Sequence, residues 1–244
     1  MPFSATGSSR MRYGYSTGAL TKGDFRAALR MLEAHDVSGV EISALRMHEL
    51  EEMIEALPTL DLARYGGHVS LHAPSKFDAA EEGPLAERLA GIAQLVEGIV
   101  VHSEAILDAS AWRPLGDKVF IENADGRKRT GRTTAEMEKI LAELPEARVC
   151  LDLAHVYQVD PSLIEARRML RAIGSRVGQI HLSQLDHSCG HQPLMYGVVH
   201  EFQSLASLVP ETTVILESCV DEDEIGFQLE LARQCFLPAA TPQV

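Results

Sequence analysis

The chain has 244 residues, 45% of them hydrophobic, four cysteines and a formal net charge of -13. That length and apolar content suffice to bury a substantial core, which argues against disorder, and no run of about 18 uninterrupted apolar residues suggests a membrane span. The N-terminal MPFSATGSSR lacks the apolar segment of a secretory signal, and the acidic balance disfavours broad adhesion to nucleic acid or anionic membrane, so the expectation is a soluble, cytoplasmic protein.

Eight short runs with strand composition punctuate the chain. MRYGYS is followed by the helical spacing of DFRAALRMLEAH, GVEIS ends close to Glu41 and leads into ELEEMIEAL, and HVSLH ends at His72 ahead of PLAERLAGIAQLVE. GIVVH ends at His102, and SEAILDASAWRPLGD behind it leaves room only for a short fourth helix, interrupted before Pro114 and covered by Trp112. KVFIE ends at Glu122 and precedes TAEMEKILAELP, for which Thr133 or Thr134 is a cap. RVCLD ends at Asp152 and precedes PSLIEARRMLRAIG, with Pro161 near its start and Gly174 at its end. QIHLS carries His181 and precedes EFQSLASLV, and TVILE ends at Glu217 ahead of DEIGFQLELARQC.

The strand runs are apolar on both sides, as in a parallel sheet covered by helices, and Leu163, Ile164, Met169, Leu170 and Ile173 show the matching amphipathic spacing. Eight strand–helix units in about 250 residues predict an α/β fold of the (β/α)8 TIM-barrel type, whose active site lies at the C-terminal strand ends. The predicted boundaries are a flexible N-terminus at 1–10, one domain at 11–237 and a flexible tail at 238–244. Cys150, Cys189, Cys219 and Cys235 form no CxxC pair, so reduced thiols are expected.

Nearly every strand finishes in a metal ligand. Converging strand ends would bring Glu122, Asp152, His181 and Glu217 around one mouth, where carboxylates repel one another unless a cation holds them. Three carboxylates and one imidazole suit manganese or magnesium, and the further imidazoles of His72 and His102 move the preference toward zinc or a mixed cluster.

The motifs SLHAP, VVHSE, FIENADG, VCLDLAHVY, QIHLS and VILES, in this order over nearly the whole chain, resemble the xylose isomerase-like barrel superfamily. Within it the metal pattern is most similar to endonuclease IV. The resemblance implies up to three zinc ions. His72 and His102 would hold one, Glu122 would bridge it to a second completed by Asp152, His181 and Glu217, and His155 with His191 would serve a third. The family has an acid two residues before that last histidine; this chain has Cys189, so a third ion would need Asp186 or His187 as a substitute. Sugar isomerases and epimerases of the same superfamily are matched by Glu122, Asp152, His181 and Glu217 around a single manganese or magnesium, with His155 touching substrate. They do not generally require His72 and His102.

Two chemistries therefore stay open, beside a third reading as a non-catalytic metal-binding barrel. In the first, adjacent metals generate hydroxide near neutral pH and hydrolyse a phosphoester. In the second, one metal polarises a sugar carbonyl while Glu122 and Glu217 exchange a proton. Arg127, Lys128, Arg129 and Arg132 crowd the loop behind Glu122, either as a solvated run or as a lip for an anionic, sugar-like or phosphorylated small molecule. Glu41, with Arg46 and His48 behind it, is a further candidate for substrate contact or for a surface turn. Abasic DNA is not favoured, because aromatics are 5% of the chain and few side chains such as Phe77 or Tyr157 stand near the mouth to wedge a duplex. His68 and His200 read as structural, and His35 as a helix C-terminal residue.

Overall fold

Alternation along a strand sends neighbouring side chains to opposite faces, and here both faces are buried. The computed structural model, which describes residues 11–66 and 68–237, closes eight parallel strands into a barrel. In chain order these are β1 (Arg12–Ser16), β2 (Gly39–Ser43), β3 (Val69–His72), β4 (Gly98–His102), β5 (Val119–Glu122), β6 (Arg148–Asp152) and β7 (Val177–Leu182). A short antiparallel pair, β8 (Gln184–Leu185) with β9 (His191–Gln192), precedes the last barrel strand, β10 (Thr213–Leu216). Pairing of β10 with both β7 and β1 closes the ring. The fold is the expected single-domain (β/α)8 barrel, and its strands coincide with the eight runs read from the sequence. The terminal segments expected at 1–10 and 238–244 lie outside the described residues.

The apolar residues divide into two clusters. The larger joins the outward side chains of the strands, such as Leu71, Ile99, Ile121 and Leu151, to helix residues such as Leu85, Met137 and Met169. The smaller is inside the barrel and consists of Val100, Phe120 and Cys150. Phe120 fills that space because Gly98 yields it: a Cβ at Gly98 would stand 2.4 Å from the ring. The same alternation that turns Phe120 inward turns Glu122 inward two residues later.

The helices follow local chemistry. Asp24 caps Phe25–Leu32 by accepting from Ala27 N, and Thr133 caps Thr134–Glu143 by accepting from Glu136 N. The fourth helix is confined to Ala109–Trp112, and its fully buried Trp112 donates Nε1–H to the buried Glu82 carboxylate at 2.8 Å. Two of the helices start elsewhere than expected. The sixth unit's helix starts at Ile164 and not at Pro161, because Leu163 adopts a left-handed φ of 57° and Asp160 Oδ2 accepts from Glu165 N. The next runs over Tyr196–Gln203 and not 201–209. Short helices at Thr17–Thr21 and Leu153–Val159 were not anticipated, and the second of them carries His155.

Candidate metal centre

Inward alternation and ladder register assemble the mouth. His102 pairs in register with Glu122, and Asp152 with His181, so ligands on neighbouring strands stand at one level. Glu217 follows β10 directly and is held by its N–H to Leu182 O at 3.0 Å. Asp152 and His181 are fully buried, and Glu122, His72 and His155 nearly so.

Four overlapping sets of potential ligands result, each with its donor atoms within 4.8 Å of one another: His72, His102 and Glu122; Glu122, Asp152, His181 and Glu217; Asp152, His155 and His191; and Glu41, His72 and Glu217. Glu122 joins the first two sets, Asp152 the second and third, and the fourth shares His72 with the first and Glu217 with the second. Glu122 Oε2 lies 3.3 Å from Nε2 of both His72 and His102, and its Oε1 lies 3.3 Å from His181 Nδ1. Glu217 Oε2 is 3.3 Å from His181 Nδ1 and 3.6 Å from His191 Nδ1.

Each imidazole has one nitrogen engaged by the protein. His72 Nδ1 bonds Ala73 O at 2.9 Å, His155 Nδ1 bonds Asn123 O at 2.8 Å, and His102 Nδ1 approaches Glu104 Oε1 at 3.3 Å. His181 Nε2 bonds Glu41 Oε2 at 2.9 Å, and His191 Nδ1 bonds Ser183 Oγ at 2.8 Å. Metal-binding histidines almost always have such a partner, which sets tautomer and ring direction.

Charge balance points the same way. Asp152 Oδ2 and Glu217 Oε2 are buried oxygens with no hydrogen bond. Burial raises the Asp152 carboxyl, and Glu217 and Glu122 add to the rise. Burial alone would push the His72 imidazole down, but Glu122, Glu41 and Glu217 outweigh it and carry it up to about 9. His155 and His181 are raised against their own burial, His155 chiefly by Asp152 and His181 by Cys150 and the carboxylates Glu217, Glu41 and Glu122. A cluster that draws protons onto its imidazoles is one that demands positive charge, and buried carboxylates with imidazoles fit divalent cations.

The other residues singled out in the sequence fall elsewhere. Glu41 is fully buried beneath the mouth and not at a surface turn or against the cavity. Arg127 is clamped on Asp125 at 2.8 Å and donates to Ser188 O at 2.7 Å; Arg132 pairs with Glu136 at 3.0 Å and Lys128 with Glu104. The expected basic lip is therefore largely neutralised within the protein, and only Arg129 of the four has no such ion pair among the described residues. Neither substitute for the missing family acid serves. Asp186 Oδ1 accepts from Ser188 N, Ser188 Oγ and Gly190 N to shape its own loop, and His187 is exposed. Asp152 instead supplies the carboxylate beside His155 and His191. Tyr157 packs edge-on against Phe202 at 5.7 Å, a packing contact.

A cavity of about 350 Å³ opens over the candidate ligands, lined by His72, His102, His191 and Glu217 together with Lys22 and Arg46. Sequence reasoning missed Lys22, and it missed two props of the site. Asn123 accepts from Asp152 N at 2.7 Å and donates to Asp152 O at 2.9 Å, and Gln179 bonds Glu41. Asn123 was visible as the residue after Glu122 in FIENADG; nothing in a linear reading separates it from a turn residue.

Comparison with known proteins agrees with this fold. A family model described as xylose isomerase-like TIM barrel matches residues 41–235. The chain belongs to that family. No curated protein sequence matches significantly. Among solved structures, this xylose isomerase-like barrel is similar to a D-tagatose 3-epimerase-like protein, with TM-score 0.66 and 16% identity over 92% of this chain and 97% of that one. It is also similar to D-psicose 3-epimerase from Clostridium cellulolyticum H10, with TM-score 0.63 and 14% identity over 93% of this chain and 100% of that one. An AP endonuclease of family 2 from Brucella melitensis matches with TM-score 0.58 and 16% identity over 88% and 96% of the two chains. At these identities the likeness is one of fold. Among the described residues no helix is long and apolar enough to cross a membrane.

Proposed function

We propose that this chain is a metal-dependent hydrolase of a small phosphoester, with zinc as the preferred ion at two or three positions. The observation that carries the reading is the sharing of Glu122 and of Asp152 between adjacent ligand sets, which suits neighbouring cations better than one isolated ion. When bound, a pair of divalent ions supplies an ionised water as nucleophile and Lewis acidity at the phosphoryl oxygens.

The protein's own groups have separate tasks in this scheme. His72, His102, His191 and Glu217 form the part of the lining that meets the substrate's reacting end, while Lys22 faces the same cavity and attracts its anionic portion, and the neighbouring Arg46 is paired with Glu49 at 3.5 Å. Glu122 sits below that wall, surrounded by His72, His102, His155 and His181 at 3.3–3.5 Å. Its role is structural to the cluster. A cavity of about 350 Å³ suits a molecule of sugar-phosphate size and not a DNA duplex.

A second reading, a sugar isomerase or epimerase with one manganese or magnesium, draws on the likeness to the epimerase structures. It needs Glu122 and Glu217 on opposite sides of the substrate, and Glu217 lines the cavity whereas Glu122 does not. The test is metal content of untagged protein together with two assays, hydrolysis of bis(p-nitrophenyl) phosphate and deuterium wash-in at carbon for a ketohexose. Two or more zinc ions with hydrolysis are expected. One manganese with deuterium exchange and no hydrolysis would replace this proposal by the second reading.

A further inference from the structure

The interior of a (β/α)8 barrel is ordinarily filled by branched aliphatic side chains, yet β2 places a carboxylate there. Glu41 is fully buried, and burying an ionised carboxylate costs several kcal/mol unless its surroundings compensate. A packing role alone would be served by leucine. The compensation comes on one oxygen, where Glu41 Oε2 lies 2.6 Å from Gln179 Nε2, 2.9 Å from His181 Nε2 and 3.5 Å from Ser70 Oγ. The other oxygen, Oε1, has no hydrogen bond. One oxygen of Glu41 is also within 4.8 Å of the ligand atoms of His72 and Glu217, so the residue stands directly under the proposed metal layer.

The surrounding hydrogen bonds have a direction. His68 Nε2 is 3.0 Å from Gln179 Oε1, which assigns the amide oxygen to His68 and turns the NH2 toward Glu41. Gln179 Nε2 is also 3.0 Å from His181 Nε2. The carboxylate is the stronger acceptor, so both N–H groups converge on Glu41 and His181 carries its proton on Nε2. Nδ1 is thereby left as the nitrogen on the side of Glu122 and Glu217, 3.3 Å from each, and its lone pair would be the one offered to a bound cation.

We propose that Glu41 is a positioning residue of the metal centre, which fixes the tautomer and ring direction of His181 and strengthens its Nδ1 as a ligand. This rests on the reading that the cluster holds cations. The partners of the other imidazoles are weaker. His72 and His155 lean on backbone carbonyls and His191 on a serine hydroxyl, while the Glu104 carboxylate beside His102 is shared with Lys128. Among the described residues the only ion pair of Glu41 is with His181. Its charge is therefore available to that ring, and a carboxylate behind a ligating imidazole raises its basicity.

The experiment is zinc titration of wild type, Glu41→Leu and Glu41→Gln by chelator competition, with the visible spectrum of the cobalt-loaded forms and 15N-histidine NMR of wild type. Glu41→Leu is expected to bind the ion next to His181 about 10–100-fold more weakly and to shift the cobalt bands. Glu41→Gln keeps an acceptor oxygen and is expected to recover part of that affinity. Wild-type affinity and an unchanged cobalt spectrum in a folded Glu41→Leu would overturn the inference. Should Glu41→Leu fail to fold, a proton on Nδ1 of His181 in the metal-loaded wild type would overturn it independently. A wild-type chain that binds no zinc overturns the metal reading itself, an outcome separate from normal binding that is indifferent to Glu41.

Discussion

The two ends of the barrel interior are built from the same strands and do opposite things. On β5, Phe120 plugs the lower half against Val100 and Cys150, while Glu122, two residues on, stands among four imidazoles at the mouth. The lower end gains from removing apolar surface from water; the upper end concentrates like charges whose mutual repulsion must be offset. One step of two residues separates the part that holds the fold together from the part that works against it.

Substitutions at these two positions should separate the two roles. Glu122→Gln removes the ligand common to two sets and should cut metal-dependent turnover by about a thousandfold or more, because a single carboxylate oxygen cannot be replaced by an amide without losing charge. Metal analysis should then find no more than the ion beside Asp152, His155 and His191; full occupancy would break the assignment of Glu122 as a bridge. Phe120→Ala should cost about 3–5 kcal/mol of stability in denaturant unfolding, with metal content of the folded fraction unchanged. A large loss of metal in that variant would show that the two ends are not separable.

The pH response sharpens the contrast. In metal-free protein the imidazole of His72 is raised from its ordinary 6.5 to about 9, so the folded state keeps a proton that the unfolded chain has released. The stability this contributes is complete below pH 6.5 and is lost as pH climbs through about 9, a loss on the order of 3 kcal/mol. Unfolding of chelator-treated protein from pH 6 to 9 would reveal it, and zinc affinity should rise over the same window because binding displaces the proton. Flat stability across that range would refute the charge frustration described for the mouth. Asn123→Ala leaves Asp152 N and O without their partner and should cost about 1–3 kcal/mol. The smallest effect belongs to Cys189→Ala, since no ligand set among the described residues includes its sulfur: zinc stoichiometry should stay as in wild type.

Much of the upper end was legible in one dimension. His72, His102, Glu122, Asp152 and Glu217 each close or follow an apolar run, and parallel strands in a closed barrel must all end on the same side. The lower end was legible as strand composition only, because Phe120 and Ile121 look alike in a buried run and only the pleat assigns one inward and the other outward. The basic loop kept two readings open for a related reason. Arg127, Lys128 and Arg132 form a dense positive run, but their partners Asp125, Glu104 and Glu136 cancel it once the loop is folded. Cys189 stands where the family has an acid, and only the folded chain brings a carboxylate, that of Asp152, beside His155 and His191.

The count of strand–helix units and the level of the candidate ligands follow from local periodicity and from where each apolar run stops. How those side chains are aimed depends on the closed ring. Glu41 and His181 are 140 residues apart, and neither Gln179 nor Asn123 announces a role in its local pattern. Gln179 and His181 meet Glu41 because ring closure brings inward side chains of distant strands into a space where water cannot satisfy them, and Asn123 meets the Asp152 backbone because β5 and β6 are neighbours in the ring.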